Sequence, residues 1–427
     1  MDFKKWISNP YSTLEKISLP NGMTVYAIVA PFDWVRCRFM LKSGAHFDGD
    51  KLGLSHFTEH LISEQKNQLL WNVRKTLPEI GMDEVSASTS YSYNMYGFHS
   101  MNRFPKQQTA QFTMATASDV LKYFLESLFE TPLVEGRDKH LEIITREFFD
   151  SFPEGMTEYE ERQRLRNLNN EPIPWITFIN SLGTPTSIAE ITLQDINAFK
   201  QKYYTTENCT VLLVCNAQTL SEYVEILSQI KASGTDRSVI LPAKIFPLYN
   251  KEWNHAEMKF GVSENISISQ SSLFAIDSKT YASASIIRSL VYEKLFKILR
   301  DEKNLLYKMT VQNTINELKQ EFFIQCNSNI QQMDSVKEVF DDFFGTALDN
   351  ESFLKHQQRL MMVYSDTNEV PSDGSLMSSM IQSMHKSGTI ITALDFVKLL
   401  QDVIYKDAEK FFNNFIANSQ RLTTSSS

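Results

Sequence analysis

The sequence predicts an α+β protein made of two similar domains, and three observations point there. The chain has 427 residues, too many for one small core and enough for two. Each half runs strands, then helices, then strands again, although no clear sequence repeat accompanies the repeated order. Over 231–256 the periodicity fades and Gly234, Pro242 and Pro247 accumulate, which marks a linker. We place the first domain at 1–235, the linker at 236–256 and the second domain at 257–427.

The elements follow in order. Residues 13–19 and 23–30 read as strands around the turn Asn21-Gly22, a strong hairpin signal. A third strand at about 34–42 ends at Ser43-Gly44, and a helix starts near Gly53. A second helix covers 66–79 and stops before Gly81. Residues 83–98, rich in Ser, Thr and Tyr, read as extended chain or a strand pair. Helical patterns return at 118–130 and 136–151, separated by Pro132. A further helix at 191–203 opens on Thr192 with Asp195 three residues on, and Val211 to Val214 read as a buried strand. The second half gives strand-like 258–276, a helix at 280–302, strands at 307–328 and helices to about 417, with Thr-Thr-Ser-Ser-Ser as a frayed tail.

Composition narrows the function classes. Apolar and aromatic contents are those of an ordinary globular protein. A net charge of −9 makes nucleic acid a poor partner. The four cysteines, Cys37, Cys209, Cys215 and Cys326, show no C-x-x-C spacing, and Cys209 and Cys215 sit in an apolar run as buried thiols. No apolar run of membrane-spanning length and no signal-like N-terminus occurs, so the expectation is a cytoplasmic protein without a membrane partner.

Residues 56–60 carry the chemistry: His56-Phe57-Thr58-Glu59-His60 has the form H-x-x-E-H. On a helix, His56 and His60 are four apart and leave the same face, so two neutral imidazoles can share one zinc ion. Glu59 projects beside them and can take a proton from water at the metal. This is the inverted form of the H-E-x-x-H zinc-protease string. Leu54, Phe57 and Leu61 give the same helix a core face. A chain of this composition carries such a string by chance about once in a hundred, so the flanking pattern matters.

Two histidines leave a tetrahedral zinc one protein ligand short when the fourth position is kept for water. Glu147, one helical turn after Ile143 and Ile144, sits at the edge of a buried face and offers a carboxylate. On position alone, a surface glutamate paired with Arg146 or a nearby lysine stands beside that reading.

With these residues on the page, the chain resembles the pitrilysin or insulinase-type metallopeptidases, in the short-subunit branch that includes the mitochondrial processing peptidases and their bacterial relatives. Gly53 to His60 resembles the family's zinc helix, and Ser86-Ala87-Ser88-Thr89-Ser90 its substrate-binding edge strand. Ile143-Ile144-Thr145-Arg146-Glu147 is similar to the helix that gives the distal glutamate ligand. Gln201-Lys202-Tyr203-Tyr204 with Asn208 to Asn216 is similar to the tyrosine and strand that close the family's first domain. Leu299 to Tyr307 is similar to its paired arginine and tyrosine, here Arg300 and Tyr307. The resemblance runs from about residue 15 to 415. It departs at Ser86 where the family has Asn, at His140 where it has Glu, at Asn304 and Cys215 where it has Gly, and in a surplus around 99–117 that reads as a loop near the cleft.

The resemblance implies a mostly antiparallel sheet with helices on one face in each domain, and a dimer that closes a clamshell chamber. It implies one Zn2+ per chain on His56, His60 and Glu147, with Glu59 as the catalytic base. Arg300 and Tyr307 would reach a bound peptide, and Ser86, Ala87, Ser88 and Thr89 would line it by strand addition. Read without the resemblance, Arg300 is a helix-end arginine and Tyr307 a half-buried tyrosine. The expected activity is a zinc endopeptidase for peptides or unfolded segments. A homodimer is the first choice because one chain holds both half-sites. A heterodimer with a related subunit and a non-catalytic scaffold are the alternatives.

Overall fold

The computed structural model describes residues 9–63, 84–108, 113–130, 132–160, 181–231, 253–258, 265–274, 277–306, 308–316, 319–365, 372–387 and 390–426. Two compact units emerge. The first takes 1–155, 179–242 and 368–381; the second takes 156–178, 243–367 and 382–427.

The first unit opens on the hairpin, with β1 (Leu14–Ser18) antiparallel to β2 (Thr24–Val29) and Gly22 at φ +92° in the turn. There follow β3 (Trp34–Leu41), α1 (Leu54–Ser63), β4 (Glu84–Thr89) and β5 (Asn94–Met101). The short strands β6 (Arg103–Gln108) and β7 (Thr113–Thr116) come next, then α2 (Ala117–Leu125) with a wide π turn at Glu126–Glu130, and α3 (Arg137–Ser151). Then come α4 (Pro185–Glu190), α5 (Leu193–Tyr203), β8 (Cys209–Cys215) and α6 (Ala217–Gln229). The surplus expected as a loop at 99–117 is therefore the end of β5 and a small sheet of β6 and β7, whose register shifts between Arg103 and Gln107. The Thr192/Asp195 capping box forms at the start of α5 as its spacing predicts.

The main sheet runs β1-β2-β8-β3-β5-β4, antiparallel except for the β2–β8 pair, so β4 is an edge. Period-two alternation sends Val25, Ala27, Val35, Cys37, Phe39, Val211 and Leu213 to one face, where they meet Phe57 and Leu61 of α1 and Phe124 of α2. All four cysteines are buried, unbonded thiols.

The second unit has β9 (Trp253–Met258), β10 (Asn265–Phe274), α7 (Ser278–Phe296) with a π turn at Lys297–Glu302, β11 (Lys308–Asn316) and β12 (Lys319–Asn329). Helices α8 (Met333–Gly345), α9 (Asn350–Ser365), α10 (Asp373–Ser387, of which 373–381 falls to the first unit), α11 (Ala393–Asp402) and α12 (Tyr405–Asn418) lead to β13 (Gln420–Ser426). Its sheet runs β11-β12-β10-β13-β9, with β13 parallel to β9 and antiparallel to β10. The frayed tail expected at the C-terminus is thus an interior strand. The last four residues of the expected linker, 253–256, belong to β9.

Both units share one plan. In each, the last strand inserts between the first and second strands of a meander and lies parallel to the first: β8 between β2 and β3, β13 between β9 and β10. In each, a helix links the second strand to the edge strand: α1 before β4, α7 before β11. The repeated order of elements in the sequence is therefore a repeated topology. The helix expected at 66–79 and the residue Tyr307 lie outside the described residues. No described helix is long and apolar enough to cross a membrane.

Candidate metal centre

The site is built on α1, whose start is fixed by its backbone. Gly53 has φ +92°, a conformation that side chains disfavour. The buried Asp48 carboxylate accepts from Gly53 N–H and Ser55 N–H, each at 2.7 Å, and so satisfies two of the orphan donors of a helix start. Burial lifts Asp48 to about 7 although these amides pull the other way. Leu54, Phe57 and Leu61 anchor the helix in the core, as their spacing predicts.

On the other face, three atoms aim at one point. His56 Nε2 and His60 Nε2 are 3.1 Å apart. Glu147 Oε2, brought by α3, is 3.5 Å from His56 Nε2 and 3.4 Å from His60 Nε2. Ligands of a tetrahedral zinc, at bond lengths of about 2.0–2.1 Å, stand roughly 3.3–3.4 Å from one another. The triangle matches that spacing within a few tenths of an ångström. A cation between them would satisfy the lone pairs of two ring nitrogens and a carboxylate at once. Burial, with His60 adding, pushes His56 down to about 3, which keeps it in the neutral form that binds metal. The donor set and its geometry therefore fit zinc. Position alone left Glu147 undecided; its carboxylate lies at the two histidines.

Glu59 lies beside this triangle, with Oε2 3.8 Å from His56 Nε2 and its side chain only 9% exposed. Ser63 Oγ donates to Oε1 at 3.3 Å and Thr89 Oγ1 donates to Oε2 at 3.4 Å. His56, Glu59 and His60 also form a group of ligand atoms within 4.8 Å of one another. His140, where the resemblance expects a glutamate, is buried on α3 with its ring 5.9 Å from that of His60. Arg137 holds the start of α3 by donating to the Ile191 and Ala189 carbonyls.

Beneath α1 runs a buried hydroxyl network. Asn94 Nδ2 donates to the Ser55 carbonyl at 2.9 Å and to Tyr204 Oη at 3.0 Å, and Tyr204 shares a 2.7 Å hydrogen bond with Tyr96. Burial raises both phenols above their ordinary range and keeps them protonated. Asp48, Ser63, Asn94 and Tyr96 escaped sequence reasoning; Asn94 and Tyr96 act through partners brought by the fold, whereas Ser63, four residues after Glu59 on the same helix, was within reach of it.

Among the described residues the edge strand β4 pairs only with β5, with Ser86 opposite Gly97, Ala87 opposite Tyr96, Ser88 opposite Met95 and Thr89 opposite Asn94. Ser88 is exposed; Ser86, Ala87 and Thr89 are half-buried. In the second unit, exposed Arg300 sits in the π turn with its guanidinium 5.8 Å above the Phe296 ring, which in turn stacks on exposed Tyr292. Asn304 closes that helix end at φ +52°, the left-handed conformation its glycine-like position requires.

The family model of the Peptidase M16 inactive domain matches residues 190–360. That stretch contains Arg300 and excludes His56, Glu59, His60 and Glu147. No curated protein matches the chain. Among solved structures, the chain is similar to a peptidase M16 inactive domain from Pseudomonas fluorescens, at 16% identity and a TM-score of 0.75, covering 97% of this chain and 98% of that one. A protease from Helicobacter pylori matches at 16% identity and a TM-score of 0.71, covering 96% and 99%. The periplasmic protease PqqL from Escherichia coli matches at 16% identity and a TM-score of 0.75, covering 97% of this chain but 47% of its own. Likeness at this identity shows the fold, and a periplasmic neighbour lends nothing to the cytoplasmic expectation. The match over 190–360 supports the M16 superfamily for that stretch, and the whole-chain likeness shows a shared fold.

Proposed function

We propose that the chain is a zinc-dependent endopeptidase acting on peptides or unfolded segments. The observation that carries this is the convergence of His56, His60 and Glu147 at zinc-ligand spacing, with Glu59 beside them. Held by His56, His60 and Glu147, zinc would supply Lewis acidity toward the scissile carbonyl and the attacking water. Glu59 Oε2 accepts the proton of the attacking water and passes it to the leaving amine. The peptide adds as a strand along the free edge of β4, so Ser86 to Thr89 read main chain more than side chain and tolerate many sequences. Arg300 and Tyr307 hold the peptide and steady the developing oxyanion, in a chamber closed by a second copy of the chain. That PqqL is about twice the length of this chain, with only about half of it covered, supports a pairing of two such halves.

The test is a mixture of unstructured peptides incubated with the zinc-loaded chain, with products read by mass spectrometry and the Glu59→Gln protein as blank. Cleavage absent from the blank is expected; equal cleavage by the blank sinks the role given to Glu59. A second reading, a non-catalytic assembly subunit, is favoured by the confinement of the family match to a domain described as inactive. It predicts unchanged partner binding after zinc removal and no cleavage. Cleavage only on adding a related chain identifies the heterodimer.

A further inference from the structure

The notable feature of Glu59 is what holds it. Its two carboxylate oxygens each accept a hydroxyl, Ser63 Oγ from its own helix and Thr89 Oγ1 from the edge strand. Thr89 is the last residue of β4, and its ladder partner Asn94 donates to the Ser55 carbonyl of α1. The end of the β4–β5 ladder is therefore fastened to α1 at two points, and one of them is Glu59. Side chains alternate along a strand, so Thr89 shares the face of Val85 and Ala87, which pack against the core cluster containing Phe57 and Leu61 of α1. Its hydroxyl is engaged by Glu59, and its backbone lies opposite Asn94 in the ladder of the edge strand.

We infer that Thr89 is a positioning residue for Glu59, coupling the orientation of the proton acceptor to the strand on which the peptide lies. The inference rests on the reading of Glu59 as the base. The terminal torsion of a glutamate is broad and soft, so packing alone does not set the plane of its carboxylate. Oε2, the oxygen nearer His56, is the one Thr89 holds. Without that hydroxyl Oε2 loses its tie to the edge strand, and the proton acceptor spends less time in line with the water. A peptide that straightens β4 fixes Thr89 and thereby Glu59.

The experiment compares Thr89→Val, which keeps the shape and removes the hydroxyl, with Thr89→Ser, which keeps the hydroxyl. Bound zinc is measured in each preparation, and kcat and KM are measured on one unstructured quenched-fluorescence peptide. Thr89→Val is expected to lower kcat about threefold, less than the scale of a short hydrogen bond to a charged group because the contact is 3.4 Å long, with KM and zinc content held. Thr89→Ser restores most of the loss. A readout without turnover accompanies it: the visible spectrum of Co2+ loaded in place of zinc shifts in Thr89→Val and returns in Thr89→Ser. Unchanged kcat, a raised KM alone, or identical cobalt spectra overturns the inference. If Thr89→Val does not fold, Thr89→Ala against Thr89→Ser makes the same comparison. Absence of cleavage by the wild-type chain sinks the endopeptidase reading instead, and the cobalt spectra still decide whether Thr89 positions Glu59.

Discussion

Replacing Gly53 with alanine tests how α1 is held. A Cβ at Gly53 would stand 2.9 Å from the Leu182 carbonyl oxygen and 3.0 Å from Gly183 Cα, and its φ of +92° disfavours any side chain. Both neighbours are backbone, so neither swings aside. Gly183 returns the contact, since its own Cβ would meet the Leu52 carbonyl oxygen at 2.5 Å. Gly49 provides the control: it has φ +65° and nothing within 4 Å of a Cβ. Alanine at positive φ costs about 1–2 kcal/mol, which Gly49→Ala bears alone. Gly53→Ala adds a backbone displacement of about 1–3 kcal/mol. At roughly 2–4 °C per kcal/mol for a unit of this size, Gly53→Ala should lower Tm by about 10 °C and Gly49→Ala by about 4 °C. Gly53 N–H donates to Asp48 at the head of α1, so the displacement also moves His56. Zinc affinity, read by competition with a chromophoric chelator, should fall in Gly53→Ala and hold in Gly49→Ala. Equal melting shifts with equal zinc affinities would refute the reasoning.

Other perturbations probe separate parts of the account. Asp48 is raised from its ordinary 3.8 to about 7, so the folded state keeps a proton that the unfolded chain has released. Its contribution is fully present below about pH 4 and is lost as pH rises through about 7, on the order of 4 kcal/mol. Urea unfolding of Asp48→Asn between pH 4 and 8 should show a flatter profile than wild type, and parallel profiles would contradict this. Truncation after Ser419 removes β13 from between β9 and β10, so the second unit should lose its cooperative transition while the first keeps its own; an unaltered second transition would show β13 to be expendable. Glu147→Gln should cost at least about tenfold in zinc affinity and Arg146→Ala little. Equal losses would favour the surface reading of Glu147.

Much of the fold was legible where a local signal decides the structure. The Asn21-Gly22 turn, the Thr192/Asp195 cap and the left-handed Asn304 each specify a backbone conformation within a few residues. The strand β13 was not legible, because its Thr-Thr-Ser-Ser run resembles a tail. Its place is set by pairing with Ser267 to Ser271 of β10, which is equally polar. The π turns at Glu126–Glu130 and Lys297–Glu302 were hidden for a different reason: an apolar helical period hardly changes when the last turns widen. The same division holds at the site. His56, Glu59 and His60 lie within one helical turn and announce themselves. Glu147 lies 87 residues beyond His60, and only the packing of α3 beside α1 brings it in. Asp48 and Asn94 act by holding other groups, and a linear pattern has no signature for that; Ser63, at i+4 from Glu59, does carry one.

The most direct measurement is X-ray absorption at the zinc edge of the loaded protein, with bound zinc counted per chain. The account predicts one zinc per chain with two imidazoles and an oxygen-completed shell at about 2.0–2.1 Å, reduced to one imidazole in His60→Ala. A third imidazole would bring His140 into the shell and displace Glu147 from its role. A protein that takes up far less than one zinc per chain would contradict the central claim.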